Sequence, residues 1–140
     1  MNKTATDTLI LTLPPHPRYL SMARLLVGGT GAQSGLTIED IDDMKVAVSE
    51  AITNAIDHAY VGEEQGEILV RYRPSQGELV VEVEDTGSGF DPATLDTSTP
   101  GLSPDGGLGL FLVHEMADQV KVESAPGSGT KVTITKRTHG

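Results

Sequence analysis

One long amphipathic segment restricts the fold of this chain more than any other feature, and it begins at Thr37-Ile-Glu-Asp40. The Thr-x-x-acid pattern is typical of a helix start, where the positive end of the helix dipole favours acidic residues. Apolar residues then recur at steps of three and four, so the predicted helix has one apolar stripe that must pack on a sheet or another helix. The stripe contains Met44, Ala47, Val48, Ala51, Ile52, Ala55, Ile56 and Ala59. Glu50, Asn54 and Asp57 form the polar face opposite.

Short runs with strand periodicity lie on both sides of this helix. Leu9–Leu13, closed by Pro14-Pro15, is β-prone and fits an edge strand or a central one. Two alternating runs around Pro74-Ser-Gln-Gly77 predict a hairpin, and two more around Ala125–Gly129 predict a second. We therefore expect an α/β two-layer sandwich, with a mixed, mostly antiparallel sheet and helices on one face.

Two further helices and one long loop complete the prediction. Apolar spacing predicts a helix from about Pro17 to Val27, ended by Gly28-Gly29 as a flexible link. Residues 86–107 are rich in Gly and Pro and predict a loop, which at this length is usually functional or mobile. A helix is predicted to start at the glycines before Leu108.

Composition excludes several classes of function. Ten basic residues against twenty acidic ones give a net charge of −10, which disfavours direct binding to nucleic acid. The chain has no cysteine, which rules out disulfides and thiolate metal sites. No apolar run is long enough to cross a bilayer. We expect a soluble, cytoplasmic single domain over residues 1–140, with its core at about 9–136 and no contact with a membrane.

Asp85-Thr-Gly-Ser-Gly89 follows a predicted strand directly. A carboxylate at a strand end can accept a hydrogen bond from an exocyclic amine, and glycines let a flat ring approach the backbone. The pattern favours adenine recognition, although in isolation it also fits an ordinary Asp-Gly turn. Asp91-Pro92 follow where a dinucleotide fingerprint would need a third glycine and a helix start, so a Rossmann site is not expected.

Two other segments carry candidate chemistry. Gly106-Gly-Leu-Gly109 precedes a helix, whose unpaired N–H groups would face an anion such as phosphate, although alone it also fits a flexible turn. On the long helix, a carboxylate at position 50 could take a proton from a hydroxyl. An amide oxygen at Asn54 could complete the shell of a phosphate-bound Mg²⁺. A solvated helix face explains the same residues, and His58 also fits a helix cap or a core histidine.

In this order and spacing, the three segments resemble the N box and the two glycine boxes of the GHKL ATP-binding fold, shared by gyrase, MutL and histidine kinases. Residues 48–60 and 107–113 are most similar to bacterial anti-sigma-factor serine kinases of the RsbW and SpoIIAB type. The resemblance runs from Leu9 to Lys136, and Gly127-x-Gly-Thr130 matches a family element near the adenine.

The resemblance implies a role for each matched residue. Glu50 would be the general base, Asn54 a Mg²⁺ ligand and Asp85 the adenine anchor, while Arg24 matches a family arginine used in partner contact. The other positions expected at the nucleotide are Asp57, His58, Gly87, Gly89, Phe90, Gly106, Gly107, Leu108, Gly109, Leu110 and Thr130. The implied cofactors are ATP or ADP with Mg²⁺.

The resemblance also implies partners. A homodimer would bind a sigma factor and phosphorylate a serine on a STAS-domain antagonist, in a stress or sporulation programme.

The sequence departs from the family at one point: residues 86–109 contain no Lys or Arg, whereas some family members carry a basic residue there. Two alternatives stay open: a non-catalytic module that uses ATP to set its affinity for a protein partner, and a detached histidine-kinase ATPase domain. The histidine-kinase alternative is disfavoured, because the sequence shows no upstream helical pair with a phosphoacceptor His.

Overall fold

The computed structural model describes residues 7–59, 66–87, 107–125, 127 and 129–138. The described part has five strands and three α-helices. The strands are β1 (Leu9–Leu13), β2 (Ile68–Ser75), β3 (Glu78–Asp85), β4 (Gln119–Ser124) and β5 (Thr130–Arg137). The helices are α1 (Leu20–Gln33), preceded by a 3₁₀ turn at Pro17–Tyr19, then α2 (Ile38–Ala59) and α3 (Gly107–Met116). Each predicted strand and helix is present.

The strands form a single sheet in the order β1-β2-β3-β5-β4. Every pair among the described strands is antiparallel, so the expectation of a mostly antiparallel sheet is confirmed and its mixed component is not seen among them. β1 is an edge strand, which decides the alternative that the sequence left open. In β2 and β3, side chains alternate between buried and partly exposed. This alternation gives the sheet one face covered by helices and one open face.

The core lies between the sheet and α2. Met44, Ala47, Val48 and Ile52 are almost fully buried, which confirms the apolar stripe that the sequence predicts. Thr37 caps the helix, because its Oγ1 accepts a hydrogen bond from the backbone N–H of Asp40 at 3.1 Å. Among the described residues, no helix has both the length and the hydropathy needed to cross a bilayer.

The open face of the sheet carries charged side chains. Arg71 contacts Glu84 at 2.7 Å, and Arg73 contacts Glu82 at 3.0 Å. These pairs join β2 to β3 across one face, while the other face of the same strands is apolar. The helices therefore pack on the face that carries Val70, Val81 and their neighbours, as expected for a two-layer sandwich.

The predicted end of the first helix is wrong. Gly28-Gly29 do not stop α1, which continues to Gln33. The reason is tertiary packing: a Cβ at Gly31 would lie 2.8 Å from Cγ1 of Ile41, so glycine lets α1 and α2 approach closely. Contact with α2 stabilises the helix beyond the two glycines and outweighs their low helix propensity.

Candidate functional site

Asp85 ends β3 with a buried carboxylate, and only 6% of the residue is exposed. Its Oδ1 accepts a hydrogen bond from the backbone N–H of Gly87 at 2.8 Å. Burial raises the pKa of Asp85, and the nearby charge of Glu84 adds to the increase, while backbone N–H groups of Gly87 and Thr130 oppose it. A fixed, partly desolvated carboxylate at this position can accept a hydrogen bond from the amine of a flat base.

The start of β5 forms a wall beside Asp85. Thr130 pairs with Asp85 in the sheet register, and Gly129, with φ of +76°, packs against the Asp85 backbone. On the neighbouring strand, Ser124 Oγ lies 2.7 Å from Thr130 Oγ1 and donates to the Gly129 carbonyl at 3.0 Å. Ser124 therefore holds the turn that places Thr130. The sequence analysis did not single out Ser124, although its place at the base of the second hairpin, opposite Thr130, was a usable signal.

The polar face of α2 presents the second group of predicted residues. Glu50 and Asn54 are half-buried one helical turn apart, and Asp57 is exposed near the end of the helix. The chain then returns to β2 at Ile68, which pairs with Asp85. The last turns of α2 and the Asp85 end of the sheet therefore lie at the same end of the molecule.

Lys136 fixes the relative heights of α2 and α3. Its Nζ donates to the Met116 carbonyl at the end of α3 at 2.9 Å and lies 3.4 Å from Asp43 Oδ2 near the start of α2. Because α2 and α3 also pack against each other, the two helices run antiparallel from a common level. With a rise of about 1.5 Å per residue, Glu50 lies about 10 Å above that level, Asn54 about 16 Å and Gly107 about 13 Å. The N-terminus of α3 is thus level with the stretch of α2 that carries Glu50 and Asn54.

An open cleft of about 410 Å³ reaches Glu50 from the side of α1. Its lining residues are Arg24, Asp42, Lys45, Val46, Ser49 and Glu50. Arg24 donates from Nε to Ser49 Oγ at 2.8 Å, which holds the guanidinium beside the residue that precedes Glu50. A side chain entering this cleft would meet a basic group, an apolar side chain and the Glu50 carboxylate together.

The structure brings together part of the sequence-predicted site. Asp85 contacts Gly87 and Thr130, and α2 places Glu50 and Asn54 level with the start of α3. His58 belongs to α2, and Gly107, Leu108, Gly109 and Leu110 form the first turn of α3. Gly89, Phe90 and Gly106 lie outside the described residues. Arg24 lies on α1, in the cleft with Glu50 rather than beside Asp85.

The described residues do not form a metal site from protein groups alone. Within the described ranges, no three His, Cys, Asp or Glu residues are grouped so that they could hold an ion. Asn54 offers one amide oxygen on the polar face of α2. Mg²⁺ in nucleotide sites commonly takes one or two protein oxygens and completes its shell with phosphate and water. The donor set therefore fits a Mg²⁺ ion that arrives with a nucleotide.

Comparison with known proteins gives close relatives over nearly the whole chain. The chain is 40% identical to the serine-protein kinase RsbW of Bacillus velezensis, covering 98% of this chain and 89% of the relative. It is 40% identical to RsbW of Listeria innocua, over 95% of this chain and 88% of the relative. RsbW of Bacillus subtilis is 36% identical, over 99% of this chain and 90% of the relative.

Solved structures agree on the fold. A crystal structure of the RsbU and RsbW domains of a Mycobacterium tuberculosis protein matches with a TM-score of 0.67 and 24% identity, covering 94% of this chain and 32% of that one. The histidine kinase domain of a blue-light activated kinase from Erythrobacter litoralis matches with a TM-score of 0.59 and 22% identity, covering 98% of this chain and 65% of that one. The family model of the histidine kinase-like ATPase domain matches residues 13–136. The chain therefore belongs to the histidine kinase-like ATPase domain family and, within it, to the RsbW serine-protein kinases.

Proposed function

We propose that this protein is a cytoplasmic switch that binds a sigma factor and, with Mg·ATP, phosphorylates a serine on a STAS-domain antagonist of that anti-sigma activity. The observation that carries the proposal is the shared level of the α3 N-terminus and the Glu50–Asn54 face of α2. An anion-binding helix end and a carboxylate at one level suit transfer of a phosphoryl group to a hydroxyl. Membership of the RsbW kinases supports the same activity.

The nucleotide lies with its base at Asp85 and its phosphates at α3. The Asp85 carboxylate would accept a hydrogen bond from the adenine amine, and Gly87, Gly89, Phe90 and Thr130 are the positions assigned to the ring. The phosphates meet the glycine segment Gly106–Gly109 and the backbone of Leu110 at the start of α3. Asp57 and His58, at the end of α2, are the remaining positions that we assign to the nucleotide. The buried carboxylate with two backbone donors already in place supports the base assignment.

In the transfer step, Glu50 accepts the proton of the partner serine as the serine oxygen bonds to the γ-phosphorus. The bond from the γ-phosphorus to the β–γ bridging oxygen breaks, and ADP leaves with that oxygen. Because residues 86–109 contain no Lys or Arg, charge stabilisation by the protein would come from backbone N–H groups at the start of α3 or from a residue elsewhere in the chain. Asn54 would hold Mg²⁺, which when bound neutralises phosphate charge.

The cleft around Arg24 is the docking site for the partner serine segment. Arg24 and Lys45 are two basic side chains in a protein with a net charge of −10, and both line the cleft that contains Glu50. Exposed Val46 lines the cleft too, and Met22 and Leu25 of α1 are exposed nearby in the chain. Because Asp42 and Glu50 also line the cleft, a segment with charged side chains of both signs and an apolar side chain complements this surface. At the edge strand β1, exposed Leu9 and Ile10 are the candidate surface for a homodimer.

The test is a phosphotransfer assay on the purified protein with Mg·ATP and the STAS-domain protein encoded nearest to it. Intact mass is expected to show one phosphoryl adduct on a serine of the partner, and Glu50→Ala protein is the matched negative control. ATP binding without an adduct on any STAS partner would contradict the kinase assignment and favour a nucleotide-gated binding module. Label on a histidine would instead indicate histidine-kinase chemistry.

A further inference from the structure

Lys136 is a charged residue at a buried position on the helix-covered face of the sheet. Along β5, Val132 and Ile134 face the helices, and Lys136 is the next residue in that alternation. It is 7% exposed, similar to its apolar neighbours. An apolar side chain would fill the position without the cost of removing an ammonium group from water. The lysine therefore needs an explanation other than packing.

The contacts of Lys136 join three elements at one point. Its Nζ donates to the Met116 carbonyl at 2.9 Å and lies 3.4 Å from Asp43 Oδ2, so strand β5 is tied to both α3 and α2. A cation at a helix C-terminus also satisfies unpaired carbonyls and complements the dipole. Two further hydrogen bonds stabilise the same end: the Asp118 N–H donates to the Thr135 carbonyl at 2.9 Å, and the Asp118 side-chain Oδ2 accepts from the Arg137 N–H at 2.7 Å.

The geometry of α3 amplifies any change at this end. Gly107 lies about 13 Å from Met116 along the helix, so a tilt of about 5° at Met116 moves the N-terminus by about 1 Å. Displacements of that size at a reacting group can reduce rates by about 100-fold. Asp43 also lies two turns before Glu50 on the same side of α2, so one ammonium group sets both sides of the proposed phosphate site.

We propose that Lys136 is a positioning residue that holds the phosphate-binding end of α3 at the height of Glu50 and Asn54. This inference rests on the proposed function, because it assumes that phosphates bind at the start of α3. Lys136 itself lies at the opposite end of β5 from Thr130 and does not reach the nucleotide. Replacing Lys136 should therefore weaken binding of the phosphates and leave binding of the adenine at Asp85 unchanged.

The experiment is a nucleotide series titrated calorimetrically into wild type and Lys136→Met, with a urea unfolding curve for each. We expect Lys136→Met to weaken Mg·ATP binding about tenfold and to leave AMP within about twofold. Lys136→Arg, which can donate to both partners, should restore Mg·ATP affinity. The matched control is Lys121→Met, the same substitution at an exposed position on β4, and it should behave as wild type.

A purely structural role would weaken ATP and AMP equally, in proportion to the loss of stability, and that result would overturn the proposal. So would a folded Lys136→Met that binds ATP as wild type does. Should Lys136→Met not fold, Asp43→Asn decides, because its side chain is 44% exposed and tolerates the change. Asp43→Asn should show a smaller loss of affinity, confined to ATP, and unchanged ATP affinity would overturn the proposal. If the wild type binds no ATP, the proposed function fails and the inference fails with it.

Discussion

Gly129 packs so closely on Asp85 that no side chain fits between them. A Cβ at Gly129 would overlap the carbonyl oxygen of Asp85 and lie 3.1 Å from Cα of Thr86. Gly129 also has φ of +76°, in the region that favours glycine. This contact joins the start of β5 to the end of β3, and it brings the Thr130 N–H to the Asp85 carboxylate. The site thus depends on a residue with no functional group of its own.

Gly129→Ala should therefore lower both stability and nucleotide affinity. The left-handed backbone and the overlap with Asp85 together should cost about 2–4 kcal/mol in free energy of unfolding. Relief of the overlap moves β5 away from Asp85, so ATP binding should weaken at the same time. Urea unfolding and a titration with a fluorescent ATP analogue measure the two effects.

Gly127→Ala is the matched control for that variant. Gly127 has φ of +81°, but no atom of the other described residues lies within 4 Å of the position its Cβ would take. Its free energy of unfolding should fall only by the cost of a side chain on a left-handed backbone, about 1–2 kcal/mol. Its ATP affinity should be unchanged. Equal losses in the two variants would show that the contact with Asp85 contributes nothing.

Asp85→Asn should separate stability from binding. Burial raises the pKa of the Asp85 carboxyl above its ordinary value of 3.8, so the folded protein retains this proton to higher pH than the unfolded chain does. The ionised group then costs stability above its folded pKa, and the cost disappears as the pH falls toward 3.8. Without nucleotide, the stability of Asp85→Asn relative to wild type should therefore be highest at neutral pH and should fall as the pH drops toward 3.8.

Nucleotide affinity should fall in Asp85→Asn. With Oδ1 on the Gly87 N–H, the amide would turn its NH₂ group toward the adenine amine, and ATP affinity should fall about 10- to 100-fold. Unfolding curves across pH and ATP titrations check the two parts. Glu82→Gln on the open face is the control, because it loses its 3.0 Å contact with Arg73 and should be less stable with normal ATP binding. A stability difference that is the same at neutral and acid pH would contradict the burial argument.

Much of the fold could be predicted because its signals are local. The Thr37 cap, the stripe on α2 and the Gln76-Gly77 turn are each set by residues within one or two turns of chain, and all are present. The end of α1 could not be predicted in the same way. Gly28-Gly29 are typical helix terminators, and only the contact of Gly31 with Ile41 of another helix reveals why α1 continues.

The residues of the candidate site also differ in whether local sequence signals could predict them. Asp85, Glu50 and Asn54 could be named because carboxylates and amides at strand ends and on polar helix faces have recognisable chemistry. Ser124 and Lys136 were missed because their importance depends on which strands pair and which helix ends meet. In the sequence, Lys136 ends an ordinary alternating strand, and its partners Asp43 and Met116 are 93 and 20 residues away.

Glu50→Ala should abolish phosphoryl transfer while leaving the affinity for ATP nearly unchanged. The reason is that the carboxylate is expected to act on the partner's hydroxyl and to make no contact with the adenine. Asn54→Ala should behave differently, with ATP binding weakened only when Mg²⁺ is present. Transfer measured by intact mass and titrations with and without Mg²⁺ distinguish the two variants. Retained transfer in Glu50→Ala would remove its role as general base.

Arg24→Ala should impair recognition of the protein partner and spare the nucleotide. Arg24 lines the cleft that contains Glu50, and its hydrogen bond to Ser49 orders the guanidinium at the entrance. An ordered arginine at an interface commonly contributes enough that its removal weakens binding about tenfold or more. We therefore expect a higher KM for the STAS partner, with ATP affinity and kcat near wild type. Arg18→Ala is the control, because that arginine stacks on Tyr19 outside the cleft. A fall in kcat at unchanged KM would place Arg24 in the transfer step instead of in docking.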